Sequence, residues 1–174
     1  MRSGPSTQSA NPRWTRHLGP LLLAWLLAAA WGSVVQTQWN LQALVGLGVD
    51  IPAAERARTT WQDLAGFAPV YAGLLAAGWL PALAAAAVLA RRRPAWRSPL
   101  LAAAAGAGMV AAVRTVDALA PMPVFIDATR EWPGLLVMAA GAAIAGWLYA
   151  RLTARRPAQK NALSPGLEHS GGSP

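Results

Sequence analysis

Arg114 and Asp117 stand three residues apart inside an otherwise apolar stretch. That spacing puts both on one face of a helix. Ionisable groups at membrane depth are costly, so they turn to an interior or to each other. Two readings stay open. One is an ion-pair gate or an anion-binding site. The other is an interfacial pair, with Arg114 reaching the headgroups just before a helix end near Pro121.

The run Gln36-Thr37-Gln38-Trp39-Asn40-Leu41-Gln42 is the second candidate. On a helix Gln36 shares a face with Asn40, and Gln38 with Gln42. Amides on two faces could line a polar cavity or bind partner backbone. They could equally mark a helix emerging into water. A third group is Arg56, Arg58, Thr59, Thr60 and Asp63, which could meet Arg114 in a charged cluster. Capping and solvation would explain each of these singly. The combined candidate polar cluster is Gln36, Gln38, Asn40, Arg58, Asp63, Arg114 and Asp117.

Other chemistries lack their residues. The chain has no cysteine, which removes disulfides, thiolate catalysis and Cys-ligated metals. Its two histidines are His17, bordering an apolar segment, and His169, near the end of the chain. Neither suits bis-histidine haem or a Cys/His zinc site. Gly106-Ala-Gly108 lies inside an apolar run and reads as packing rather than a phosphate loop. Ser33 is the one serine deep in a span, with no histidine placed to activate it. No cofactor or metal is expected.

Four apolar segments must position these residues, at about 18–35, 68–90, 99–120 and 134–150. A hydrocarbon core of roughly 30 Å needs about 20 helical residues. Backbone groups in lipid must pair internally, which favours helices. A barrel would alternate apolar and polar residues, and runs such as Ala84-Ala85-Ala86-Ala87-Val88-Leu89-Ala90 do not. The expected fold class is therefore all-α: an integral membrane four-helix bundle with a partly helical outer loop between spans 1 and 2. Four spans and their loops use nearly all of the 174 residues.

The net charge of +8 is not spread evenly. Eleven of the fifteen Lys/Arg are Arg2, Arg13 and Arg16; Arg91, Arg92, Arg93 and Arg97; and Arg151, Arg155, Arg156 and Lys160. These flank the spans, as in cytoplasmic loops and at anionic lipid surfaces, and argue against nucleic acid. The other two connections carry their positive charges beside Asp50, Glu55, Asp63, Asp127 and Glu131. Both termini are thus expected in the cytoplasm. Trp14, Trp96 and Tyr149 would mark the inner boundary; Trp39, Trp61 and Trp132 would mark the outer one. An alternative makes span 1 a signal peptide cleaved near Ala28-Ala29-Ala30. Residues 1–17 form an N-terminal tail, and the Pro/Gly/Ser-rich stretch 157–174 is expected to be disordered.

Local signals refine the picture. Asp50 could cap a helix starting near Pro52, and Thr60 with Asp63 has capping-box spacing. A helix from Thr60 to Ala90 would be about 45 Å long. A bend or break is expected at Pro69 and a kink at Pro81. Ala102 and Gly106, Gly141 and Ala145, and Ala142 and Gly146 are spaced four apart, so the helices should pack closely.

At Ser33-Val-Val-Gln-Thr-Gln-Trp-Asn-Leu41 and Arg58-Thr-Thr-Trp-Gln-Asp-Leu-Ala-Gly-Phe-Ala-Pro-Val-Tyr71, the chain resembles small four-span bacterial inner-membrane proteins. The resemblance implies an inner-membrane location and assigns no activity and no site residue. Three functions are in play. The leading expectation is a non-catalytic accessory or assembly component, contacting membrane lipids and either a membrane-protein partner or further copies of itself. The alternatives are a small oligomeric transporter or channel using the polar cluster, and a membrane enzyme acting on lipid or quinone.

Overall fold

The computed structural model describes residues 15–119 and 126–154. The expectations for residues 1–14 of the N-terminal tail, Trp14 among them, for Pro121, Arg155, Arg156 and Lys160, and for the segment 157–174 lie outside the described residues, while residues 15–17 already belong to the first helix. Four helices follow in order: α1 (Thr15–Gly46), α2 (Ala53–Arg92), α3 (Arg97–Leu119) and α4 (Trp132–Leu152). Single 3-10 turns, Pro94–Trp96 and Asp127–Thr129, precede α3 and α4. Each helix packs against its neighbours in sequence, and α4 closes the ring against α1. The protein is an all-α four-helix bundle, and all four helices are long and apolar enough to cross a membrane.

The two ends of the bundle differ in chemistry. At one end α1 and α3 finish and α2 and α4 begin; this amide end carries Gln36–Gln42. At the other end, Arg91, Arg92, Arg93, Arg97 and Arg151 cluster.

The loop between spans 1 and 2 is partly helical, as expected, and the helix starts beside Pro52; the helices extend further than the apolar spans. The amide-rich segment does not end α1, which continues to Gly46. Most of the expected loop is helix, because α2 begins at Ala53. Pro52 takes the N-cap position in extended conformation (φ −59°, ψ 153°) and no side chain caps the helix. Asp50 is therefore too far back to reach the first free amides. Thr60 and Asp63 sit two or three turns inside α2, so neither forms a capping box. Of the bend or break expected at Pro69, the break is not made: α2 continues as one helix through Pro69 and Pro81. Both prolines are exposed, so their rings point out of the bundle and neighbouring helices hold the chain on course.

At 1.5 Å per residue, α3 and α4 measure about 35 and 32 Å, α1 about 48 Å and α2 about 60 Å. The connection before α4 meets α1 at Gln36, through Ala128. The later turns of α1 and the first turns of α2 thus project past it as a helical hairpin. Residues 42–50 at its tip are all exposed.

The core is small-residue and aromatic. Ala24, Ala28 and Ala29 of α1 face Tyr71, Leu75 and Trp79 of α2, with Met109 of α3 and Met138 of α4 completing the interior. The expected small-residue faces do bring backbones together. A Cβ on Gly146 would press on Ala105 Cβ and the Leu101 carbonyl, while Gly141 accommodates the indole of Trp31. The closest approach was not among those faces. Gly78 and Gly108 put α2 and α3 in backbone contact, and a side chain on either would collide with the other's carbonyl. Only 28–39% of each helix's most apolar stretch is buried, so wide apolar faces look outward.

Candidate functional site

The polar residues of the amide end form helix-to-helix ties. Thr37 is almost wholly buried, at 1% exposure. Its Oγ1 lies 2.6 Å from Asp63 Oδ2 across the α1–α2 interface and 2.9 Å from the Ser33 carbonyl oxygen. A hydroxyl has one proton to donate, so these two acceptors share it. The 2.6 Å separation is typical of a charge-assisted O–H···O⁻ bond. Asp63 is half-buried, and no ion pair engages it among the described residues.

One turn on, Gln38 Nε2 donates to Thr60 Oγ1 at 3.0 Å, and Thr60 Oγ1 donates to the Arg56 carbonyl at 2.7 Å. Arg56 Nη1 returns to Gln38 Oε1 at 3.4 Å. Gln36 turns to the other side. Its Oε1 accepts the Ala128 N–H at 2.9 Å, and its Nε2 donates to Asn40 Oδ1 at 3.4 Å. Gln36 thus satisfies a backbone donor of the α3–α4 connection that would otherwise be buried unpaired. Trp39 is half-buried beside Gly134 at the start of α4.

Three expected members, Arg58, Arg114 and Asp117, do not join this cluster. Arg58 is 70% exposed and pairs with Glu55 at 4.0 Å. It lies two residues beyond Arg56, so the helix turns it away from α1 and Arg56 takes its place. Arg114 stays with Asp117 on its own helix, Nη1 to Oδ2 3.7 Å, and its guanidinium lies 5.7 Å from the Trp132 ring centroid. The Arg114 side chain is 45% exposed and that of Asp117 only 13%. The sequence-predicted residues therefore divide in two: Gln36, Gln38, Asn40 and Asp63 around α1, and Arg114 with Asp117 between α3 and the start of α4.

Several ties were not foreseen. Trp25 Nε1 donates to the Ala72 carbonyl at 3.0 Å, joining α1 to α2. Trp31 Nε1 donates to the Val137 carbonyl at 3.0 Å, joining α1 to α4. Trp79 Nε1, fully buried, donates to the Ala105 carbonyl at 2.9 Å, joining α2 to α3. At the arginine end, Arg97 donates to the Ala150 carbonyl and to Thr153 Oγ1, joining α3 to α4. A signal did exist for the indoles: these three tryptophans sit within apolar spans, where an N–H needs an acceptor from another helix.

Chemically, this is an arrangement for cross-bracing. Among the described residues no three His, Cys, Asp or Glu side chains converge to hold a metal ion. A polar atom that stands apart is Ser33 Oγ. It is fully buried and makes no hydrogen bond within the described residues. Two apolar grooves run along the outside. One, of about 520 Å³, lies between α2 and α3 over the Gly78–Gly108 contact; the other, of about 490 Å³, lies between α1 and α2 beside Pro69. No family model, no curated protein and no solved structure matches the chain.

Proposed function

We propose that this chain is a non-catalytic accessory or assembly component of a bacterial inner membrane, with both termini in the cytoplasm and the α1–α2 hairpin projecting outside. The observation that carries the reading is the hairpin. Its tip exposes Leu47 at 81%, with Leu44 and Val49, and Trp61 is 73% exposed lower down α2, beside the Gln38–Thr60 bond. Exposed apolar side chains on a projecting element are candidates for an interaction surface. Below it, the polar side chains with most chemical potential are engaged in holding helices to one another. The outward faces agree: a Cβ at Gly66 or Gly73 of α2 would meet nothing within 4 Å, so packing within one copy does not call for either glycine.

Extraction of natively expressed protein in a mild detergent, with sizing and mass spectrometry of what travels with it, tests the proposal. A stoichiometric membrane-protein partner is the expected result. A stable, monodisperse, partner-free species would refute it.

A second reading, a small oligomeric transporter or channel, draws on one observation. The orphan hydroxyl of Ser33 lies one turn from Thr37, whose bond to Asp63 holds a carboxylate with no cationic partner among the described residues. Proteoliposome flux abolished by Asp63→Asn and Ser33→Ala would favour it; flux indifferent to both would remove it. The enzyme reading has no comparable support.

A further inference from the structure

We infer that the arginine end is a binding site for the phosphodiester headgroup of an anionic phospholipid. The reasoning starts from how the chain treats its arginines. At the amide end each one has a partner within the chain: Arg56 with Gln38, Arg58 with Glu55, Arg114 with Asp117 and Arg130 with Asp127. At the other end Arg91, Arg92 and Arg93 are all exposed, and no hydrogen bond or ion pair engages them among the described residues. The acids explain the contrast. All six described acids, Asp50, Glu55, Asp63, Asp117, Asp127 and Glu131, lie at the amide end. Among the described residues the arginine end has none to offer.

Local geometry turns this surplus charge into a site. The 3-10 turn Pro94–Trp96 folds the chain directly from α2 into α3, keeping the three arginines beside Arg97. The Arg97 guanidinium is fixed by the Ala150 carbonyl and Thr153 Oγ1, which brings the end of α4 and Arg151 to the same rim. Arg151 stacks over the Trp147 ring at 4.8 Å, and Trp96 is 59% exposed. Arginines bind phosphate through paired N–H donors, and indoles favour the headgroup level. A cationic rim flanked by exposed tryptophan at the end of apolar helices matches the polar part of a lipid that carries net negative charge. The inference rests on the membrane reading of the fold but not on which leaflet the rim faces.

Native mass spectrometry of the full chain in a neutral detergent provides the test, with equimolar dioleoylphosphatidylglycerol and dioleoylphosphatidylcholine added. Phosphatidylglycerol adducts should exceed phosphatidylcholine adducts by about tenfold on the wild type, given the usual attraction per basic residue. R91Q/R92Q/R93Q should bring the excess to within about twofold, whereas R58Q at the other end should leave it intact. Loss of three positive charges can itself disturb insertion, so the single variants R91Q and R151Q are run in parallel. Each should lower the excess by about two- to fivefold. Equal adducts of the two lipids, or an excess that none of these arginine variants reduces, would overturn the inference. Displacement of the lipid by millimolar inorganic phosphate would overturn it in favour of a free-phosphate site. Recovery of the chain as a folded species in detergent-free buffer would instead refute the membrane reading underneath.

Discussion

The crossing of α2 and α3 yields the sharpest quantitative prediction. A methyl group added at Gly108 would lie 2.7 Å from the Gly78 carbonyl oxygen and 2.9 Å from Ala82 Cβ. Ordinary van der Waals contact begins at 3.4 Å, so the first approach is about 0.7 Å too close. The obstructing atom is backbone, which cannot rotate aside. The helices must separate, and separation stretches the 2.9 Å bond from Trp79 Nε1 to the Ala105 carbonyl one turn away. Overpacking of this kind costs about 1–3 kcal/mol. A weakened interhelical hydrogen bond adds about 0.6 kcal/mol. Against this, alanine is favoured over glycine in a helix by about 1 kcal/mol. Gly108→Ala should therefore destabilise the bundle by about 1–2 kcal/mol. The control is Gly73→Ala on the outward face of α2, where a Cβ meets nothing within 4 Å. It gains the helix propensity without the clash and should stabilise the isolated protein by up to about 1 kcal/mol. Reversible unfolding in mixed detergent micelles, followed by helical circular dichroism, would read the difference of about 1–3 kcal/mol between the variants. If Gly108→Ala proved as stable as Gly73→Ala, the close α2–α3 contact and the reasoning built on it would be wrong.

Other expectations concern the polar ties. Trp79→Phe keeps most of the ring but loses the bond to Ala105, and should cost about 1 kcal/mol in the same assay; no change would mean the indole N–H contributes nothing. Asp63→Asn retains an acceptor for Thr37 whereas Asp63→Ala does not, so hydrogen exchange in the amide-end turns of α1 should speed up more in the alanine variant. Arg97→Lys cannot reproduce a fork that reaches both Ala150 and Thr153, and should loosen the end of α4, seen as faster proteolysis there. A reporter active only outside the cytoplasm, fused after Ala154, should be silent; activity would reverse the proposed orientation.

Much of the architecture was legible in the chain because its cause is local. Runs of about 20 apolar residues need no knowledge of neighbours to be recognised as spans. The small-residue spacing of Ala142 and Gly146 likewise announced a close helix contact. The helix limits were less legible. Pro52 marks the helix start expected near it, whereas Pro69, where a bend or break was expected, does not end the helix. A proline's local penalty can be offset by packing, and packing is not visible in a one-dimensional pattern.

The candidate cluster shows the same division. Sequence singled out Gln36, Gln38, Asn40 and Asp63 by type and spacing, and these residues do converge at one end. It could not choose Arg56 over Arg58, because that depends on which face of α2 meets α1. Nor could it pair Gln36 with the Ala128 amide, 92 residues away. What the sequence by itself determined was the number of helices, their apolar character and the separation of charge between the two ends, all consequences of how single residues partition between water and lipid. The tertiary structure alone decided which buried polar groups satisfy one another. Buried donors must find acceptors, and for Trp25, Trp31, Trp79 and Arg97 those acceptors are carbonyls on helices that only folding brings alongside.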